Sequence, residues 1–519
     1  LSESMPWGDV VSVRGKNNHH CVYKHPELRS NGDQPVHICI ETWCQYTHVD
    51  EAPCEGAKFS GGGTDDVSDE KFPLEEVERM MDGSDDEPSE SEIKRRFKCP
   101  VKGFCTYYTD IAQARNARVV ITNYAYGLSI LNFTDEGFGE IDVIVEDEGH
   151  VLDQQLENFI SVKLSKNAVG DLFSLMLPDF QDGGTVTQWV GWLNDHEADF
   201  ETAVETWRGL DDDELTPSQL RDKIRTFKYL KLFNQIKDLN YEWIVEKVDN
   251  GVEFKPVWVT EESESVLFDH SLRHVIMSGT IPSAKELGAK VGLDQKDFQF
   301  KRLPYTFLPE NRLIIVRPVV NLGVKVIDQN LSVMVQGVDD IIREFEGWAK
   351  KVLIHSKSYK ITRHIIDNSE YQDIMMTHDS RNRAAQLDLF KQSALPMIMV
   401  SPSFDKAVDL PGEECELIII VKVPYGYLGS KVMAERARQS RRYYAHETLM
   451  TLIQMAGRGV RSDQDVCPTV IVDAAGPRFL KQVITMGLLP DGIKAAVRLQ
   501  VFNEQTQQWA TAGEKRVVR

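Results

Sequence analysis

From Arg312 onward, short β-branched runs alternate with stretches whose apolar residues recur at helical spacing, and few folds accept that pattern. The strand-like runs cover residues 313–316, 352–354, 397–400, 417–421 and 470–473, and a helical stretch covers 338–350. Parallel strands need a crossover between them, usually a helix, so the alternation predicts a parallel sheet covered by helices. Upstream, Val119–Val120–Ile121–Thr122 and Ile141–Asp142–Val143–Ile144–Val145 are short and β-branched, as buried parallel strands are, and His274–Val275–Ile276–Met277 forms another strand. Residues 155–250 have a different texture, with helically spaced apolar residues at 219–236 and loops such as Asp211–Asp212–Asp213. Residues 243–259 read as a hairpin turning at Asp249–Asn250–Gly251. No internal repeat is visible.

A chain of 519 residues exceeds one hydrophobic core, so three or four domains are expected. No apolar run approaches the roughly 18–20 residues needed to cross a bilayer, and no signal-peptide pattern opens the chain. A cytoplasmic protein without a membrane partner is expected. The net charge of −21 argues at first against a nucleic-acid partner. Residues 64–92, however, hold thirteen Asp and Glu against Lys71 and Arg79, a net of −11, so the other residues carry −10. Such a block reads as a solvated segment, and net charge leaves the question open.

Six of the eight cysteines, Cys21, Cys39, Cys44, Cys54, Cys99 and Cys105, fall in the first 105 residues. A secreted disulfide framework is not expected in so large a chain without a signal peptide, which favours a metal or iron–sulfur site made from some of the six. Cys415 and Cys467 read as buried core residues.

Two motifs carry chemistry. The run Val143–Ile144–Val145–Glu146–Asp147–Glu148–Gly149–His150 delivers acids to the carboxyl end of a strand. Nucleotide hydrolysis needs such a pair, one carboxylate to hold Mg²⁺ and the next to orient and deprotonate water; an acidic helix start is the bland alternative. Far downstream comes Gln454–Met455–Ala456–Gly457–Arg458–Gly459–Val460–Arg461. Two arginines three apart are expected to share a helix face, where they could reach a γ-phosphate across a domain cleft, with Gly457 allowing close approach. Alone, that run reads more readily as a solvated basic turn; paired with an Asp–Glu at the end of a strand in another domain, it does not.

The order of these and further pieces resembles the superfamily-2 iron–sulfur DNA helicases, the family of XPD and DinG. Arg14–Gly15–Lys16–Asn17–Asn18–His19–His20–Cys21 resembles the opening of the family's cluster domain, and Cys105–Thr106–Tyr107–Tyr108 its close, followed by Thr122–Asn123–Tyr124–Ala125–Tyr126. Asp147–Glu148–Gly149–His150 is similar to the DEAH box with Gly for Ala. Ser278–Gly279–Thr280 resembles motif III, His355–Ser356–Lys357–Ser358–Tyr359 motif IV, residues 401–412 motif V and residues 454–461 motif VI.

The resemblance implies an α/β protein with two RecA-like parallel-sheet motor domains, the first incomplete, plus an inserted iron–sulfur domain and a helical arch. The first motor domain would comprise residues 1–20, 106–154 and 262–304, the cluster domain 21–105, the arch-like insertion 155–261 and the second motor domain 305–519. Asp147 would bind Mg²⁺ and Glu148 would be the general base. His150, Ser278, Gly279 and Thr280 would couple nucleotide state to DNA grip. Gln454, Gly457, Arg458 and Arg461 would face the triphosphate of ATP, supported by Asp409, and Ser358 and Tyr359 would touch the DNA backbone. Cys21, Cys54, Cys99 and Cys105 would hold a [4Fe–4S] cluster, with Cys39 and Cys44 competing for the role and zinc an acceptable occupant. The implied activity is ATP-driven 5′ to 3′ translocation on single-stranded or forked DNA by a monomer, in the cytoplasm of a bacterial or phage-infected cell.

Two departures stand out. The family's phosphate loop ends in Gly–Lys–Ser or Gly–Lys–Thr, and no such run occurs here. Gly61–Gly62–Gly63–Thr64 lacks the lysine, and Arg14–Gly15–Lys16–Asn17 lacks the first glycine and the hydroxyl. The loop's expected place is upstream of Leu1. In motif V, Lys406–Ala407–Val408–Asp409 stands where the family has Glu–Gly before its aspartate side. These departures support a rival expectation, a nucleic-acid-binding protein that keeps the fold without hydrolysis; against it, Asp147, Glu148, Arg458 and Arg461 all remain, and the motor stays the leading expectation.

Overall fold

The computed structural model describes residues 10–13, 113–133, 138–210, 217–240, 242–379, 381–404 and 408–503, with 215, 506 and 508–512. The six upstream cysteines, the acidic block, the 14–21 motif and Lys406 lie outside the described residues. The chain divides into two compact units: residues 1–277 with 290–292, and residues 278–289 with 293–519.

Unit 1 contains β1 (Val10–Ser12), β2 (Val119–Ile121), α1 (Tyr124–Phe133), β3 (Ile144–Glu146), α2 (Leu152–Ile160), β4 (Val162–Ser165), α3 (Lys166–Phe173), α4 (Val186–Asp195), α5 (Glu197–Glu205), α6 (Pro217–Asp238), β5 (Trp243–Val248), β6 (Gly251–Pro256) and β7 (His274–Ile276). Two parallel pairs form, β1 with β2 and β3 with β7. The insertion builds a core of its own. Helices α3 to α6 pack Phe173, Trp189, Leu193, Phe200 and Phe233 against Leu164, Val245 and Phe254 of an antiparallel sheet ordered β4-β6-β5. The β5–β6 turn falls at Asp249–Asn250, as Asn–Gly chemistry demands. A capping box between Thr185 and Gln188 starts α4.

The upstream parallel strands were expected to be buried. Instead, Val145 is 56% and Val275 48% exposed, and Ile121 is 50% exposed. Burial of a parallel strand depends on neighbours as well as on its own residues. Among the described residues each pair stands as a two-stranded sheet, so Val145 and Val275, opposite each other in register, occupy an open face.

Unit 2 contains β8 (Ile314–Val320), α7 (Ile327–Phe345), β9 (Lys351–His355), α8 (Tyr359–Asn368), β10 (Met375–Met376), α9 (Arg383–Gln392), β11 (Met397–Ser401), β12 (Leu417–Ile420), α10 (Lys431–Gln439), α11 (Arg441–Ala456), β13 (Thr469–Asp473), α12 (Gly476–Thr485), α13 (Asp491–Ala496), β14 (Val497–Asn503) and β15 (Gln508–Thr511). The strands form one sheet ordered β10-β11-β9-β12-β13-β8-β14-β15, parallel except at β15. This is the α/β architecture predicted from the alternation.

Successive residues of each strand serve opposite faces. Ile314, Leu353, Met399, Ile418 and Ile471 join a core under α9, α11 and α12. Ile315, Val352, Ile398, Ile419 and Val470 join a second core under α7 and α8. Such a sheet, packed on both sides, holds its strand ends rigidly, and loops at the carboxyl ends are where ligand-binding groups gather. No helix among the described residues is long and apolar enough to cross a membrane.

Candidate functional site

Unit 1 carries its chemistry at the carboxyl end of β3. Just past the strand, Glu148 turns left-handed, φ 51°, which is uncommon for a residue with a side chain. The turn reverses the chain into Gly149–Val151 and then α2. Backbone bonds to the segment after β7 hold it in place: Met277 N–H donates to Glu146 O at 2.9 Å and Gly149 N–H to Met277 O at 2.8 Å. The Tyr124 hydroxyl donates to Asp147 O at 2.6 Å, and the Glu148 amide to Asp147 Oδ1 at 2.8 Å. Burial, together with the carboxylates of Glu146, Asp147 and Glu148, pushes the Tyr124 phenol well up, so it stays a donor.

The outcome is two adjacent exposed acids. Asp147 offers a hard carboxylate with water access, which suits Mg²⁺ completing its shell with water and phosphate oxygens. Glu148 Oε2 lies 3.2 Å from Nδ1 of buried His150, which orients it as a proton acceptor. Glycine at 149 has a steric cause: a Cβ there would lie 2.2 Å from Ile276 Cγ2.

Behind the acids lies a pair that sequence reasoning missed. Buried Glu146 contacts His274 Nδ1 at 2.6 Å across the β3–β7 ladder, while His274 Nε2 faces the carbonyls of Phe268 and Ser271, each at 3.2 Å. Burial opposes a charge on His274, but Glu146 and the two carbonyls outweigh it and raise its pKa. The only signal in the sequence was a carboxylate pointing inward from an apolar strand.

In unit 2, Arg458 and Arg461 were expected to share a helix face. They do not: α11 ends at Ala456 with Gly457 as its C-cap, and both arginines follow the helix. Gly459 sinks into the core, where a Cβ would lie 2.3 Å from Cys467 Sγ and 2.9 Å from Cys415 O. The arginines nonetheless converge, on the motif V segment. Arg458 Nη1 donates to Val408 O at 2.8 Å and Arg461 Nε to Asp409 Oδ1 at 2.5 Å. Gln454 sits half-buried in the last turn of α11. Gly457 is the exposed C-cap of α11 with φ −88°, and a Cβ built on it would lie 3.1 Å from Ile453 O of its own helix.

Ser358, expected to touch a DNA backbone, also caps α8, its Oγ accepting from Ile361 N–H at 3.3 Å while its hydroxyl proton remains to donate. Lys357 before it adopts φ 68°, and Tyr359 after it is 54% exposed. Ser278 and Thr280 form a local turn, with Thr280 N–H donating to Ser278 Oγ at 3.1 Å, while Gly279 has open space around it. His355, ending β9, is buried, and burial with the nearby Arg458 charge drives its pKa down to about 3. Cys415 and Cys467 are buried, with sulfurs 3.9 Å apart. Among the described residues no group of three or more His, Cys, Asp or Glu could hold a metal; Cys21, Cys54, Cys99 and Cys105 are outside them.

Comparison with known proteins bears chiefly on unit 2. The family model for a helicase C-terminal domain matches residues 341–489, a span that contains Ser358, Tyr359, Asp409, Gln454, Arg458 and Arg461. Similar solved structures include one described as an XPD helicase, 17% identical over 94% of this chain and 91% of that one, TM-score 0.49. S. tokodaii Xpd4 is 14% identical over 75% and 83%, TM-score 0.46. The DUF1998 helicase MrfA bound to DNA and AMPPNP is 12% identical over 74% and 41%, TM-score 0.28. No curated protein sequence matches the chain.

Proposed function

We propose that this protein is an ATP-dependent superfamily-2 DNA helicase or translocase of the XPD/DinG kind. The observation that carries the reading is the acid pair. Asp147 and Glu148 are exposed at the end of a parallel strand by a left-handed turn, in a chain whose residues 341–489 match a helicase C-terminal domain. Asp147 holds Mg²⁺, which when bound neutralises phosphate charge. Glu148, oriented by His150, takes the proton of the attacking water. Gln454, Arg458 and Arg461 meet the triphosphate, with Asp409 fixing Arg461 and Gly457 placing the turn. Ser278, Gly279 and Thr280 relay nucleotide state, and Ser358 and Tyr359 contact the strand. Cys21, Cys54, Cys99 and Cys105 form a [4Fe–4S] site in the 21–105 domain, with 155–261 as an arch between motor-domain segments. Single-stranded or forked DNA is the track, travelled 5′ to 3′ by a monomer in the cytoplasm.

The test is ATP hydrolysis by the full-length protein with and without oligo(dT). Glu148→Gln should lower strand-stimulated turnover by about 10³-fold or more while strand affinity stays within twofold. Unchanged turnover would remove Glu148 from its role. The rival, a strand-binding protein without hydrolysis, is supported by the lack of a Gly–Lys–Ser/Thr run within these 519 residues. Wild-type protein that binds oligo(dT) and never hydrolyses ATP would establish it.

A further inference from the structure

Unit 2 holds a second feature that none of the motifs above uses. At the start of α11 a cavity of about 540 Å³ is lined by Ala437, Arg441, Tyr444, Arg478, Gln482 and Met486. The volume is in the range of small-ligand sites. It lies beyond the carboxyl ends of two adjacent parallel strands. The loop after β12 supplies Tyr425, which stacks on Tyr444, and the helix after β13 supplies Arg478. Its chemistry is cationic and aromatic, with no acid among the lining residues.

The cations are available. On α10 and α11, Arg436 donates to the Tyr443 hydroxyl, Arg438 pairs with Glu435, and Arg442 pairs with Glu286 and donates to Met486 O. Arg441 and Arg478, by contrast, make no hydrogen bond or ion pair among the described residues; Arg478 only neighbours the Tyr425 phenol. Two unpaired guanidiniums at one cavity are unexpected in a chain of net charge −21, where carboxylates outnumber bases 80 to 59. The aromatic wall is fixed: Tyr444 donates to Gly426 O at 2.8 Å, its ring lies within 10° of parallel to Tyr425, and Tyr425 packs edge-on to Phe479. A rigid ring offers stacking area at little entropic cost, and a guanidinium fork suits phosphate.

We propose that this cavity binds a nucleotide unit. Arg441 and Arg478 take its phosphate, the Tyr444 wall and Met486 pack against its base, and Gln482 hydrogen-bonds to the base edge. Resting on the helicase reading, the occupant is a unit of the single strand, held at a contact additional to Ser358 and Tyr359. It is not the hydrolysed triphosphate. Helix α11 has 16 residues and spans about 24 Å, so Arg441 stands a full helix away from Arg458.

The test uses the full chain and fluorescein-labelled oligo(dT) of 12 nucleotides, with anisotropy titrated against salt. The Arg441→Ala/Arg478→Ala variant should bind roughly tenfold more weakly, and its slope of log K on log salt should fall by about 0.7, the value for one phosphate of a single strand. The Arg441→Lys/Arg478→Lys variant, retaining charge, should keep the slope. Both arginines are surface groups, and unchanged melting temperatures would show that folding is intact. Wild-type-like affinity and slope in the alanine variant would overturn the proposal and leave the helicase reading standing. Failure of the wild type to bind any strand would sink the strand reading; equilibrium dialysis with dTMP then decides. Retention that the alanine variant loses makes the cavity a free-mononucleotide site, and no retention overturns the proposal.

Discussion

His355 shows how one side chain can report on a buried neighbourhood. It ends β9 with Nε2 lacking a hydrogen-bond partner among the described residues and with Arg458 nearby. Burial, then that positive charge, hold its pKa at about 3 against an ordinary 6.5. Because the folded value is depressed, the unfolded chain takes up the proton first. Stability is full above about pH 6.5 and falls as pH drops toward 3, by up to ~1.4 kcal/mol per unit from this group. Urea unfolding at pH 7 and 5.5 should therefore show a larger acid loss for wild type than for His355→Asn, by about 1 kcal/mol; equal losses would mean that the imidazole is charged in the fold. Residues were unevenly legible in the sequence. Asp147 and Glu148 stood out because a β-branched run ends on them. Arg441 and Arg478 did not, because 37 positions separate them and only the packing of α11 beside α12 brings them to one cavity.

Among elements, the β3–β7 pair is the most informative. Past its end Gly149 closes on Ile276, so Gly149→Ala should cost about 1–3 kcal/mol through overpacking. Adding Ile276→Ala removes the clashing methyl. The double variant should then melt higher than Gly149→Ala alone, although a half-buried side chain has been lost, and strictly additive losses would refute the clash. In unit 2, β8, β9, β11, β12 and β13 were readable because β-branched runs signal them, and part of α7 by its helical spacing, whereas β10, β14 and β15 were not named. The end of α11 was misjudged for a local reason. The Arg458–Arg461 spacing fits a helix, but Gly457 terminates it and Gly459 is drawn against Cys467, a contact with no trace in the spacing. The burial of β2 and β3 was misjudged for a non-local reason, since composition describes a strand and not the elements beside it.

At the scale of the molecule, charge governs how an anionic partner approaches. Deleting residues 64–92 takes the net charge from −21 to −10. An anionic strand should then associate faster, by about threefold or more at 50 mM salt, with the difference fading above 0.5 M as screening shortens the Debye length. Stopped-flow association at both salt concentrations measures this, and equal rates at 50 mM would show that the block exerts no field on the strand site. The division into two units also sorts the candidate chemistry: Asp147, Glu148 and His150 belong to unit 1, while Asp409, Gln454, Arg458 and Arg461 belong to unit 2. Genetically, loss-of-function lesions should form two clusters along the chain with one phenotype. If each polypeptide works alone, a cell that carries one allele from each cluster stays as deficient as either single mutant, because neither product holds a whole set of groups.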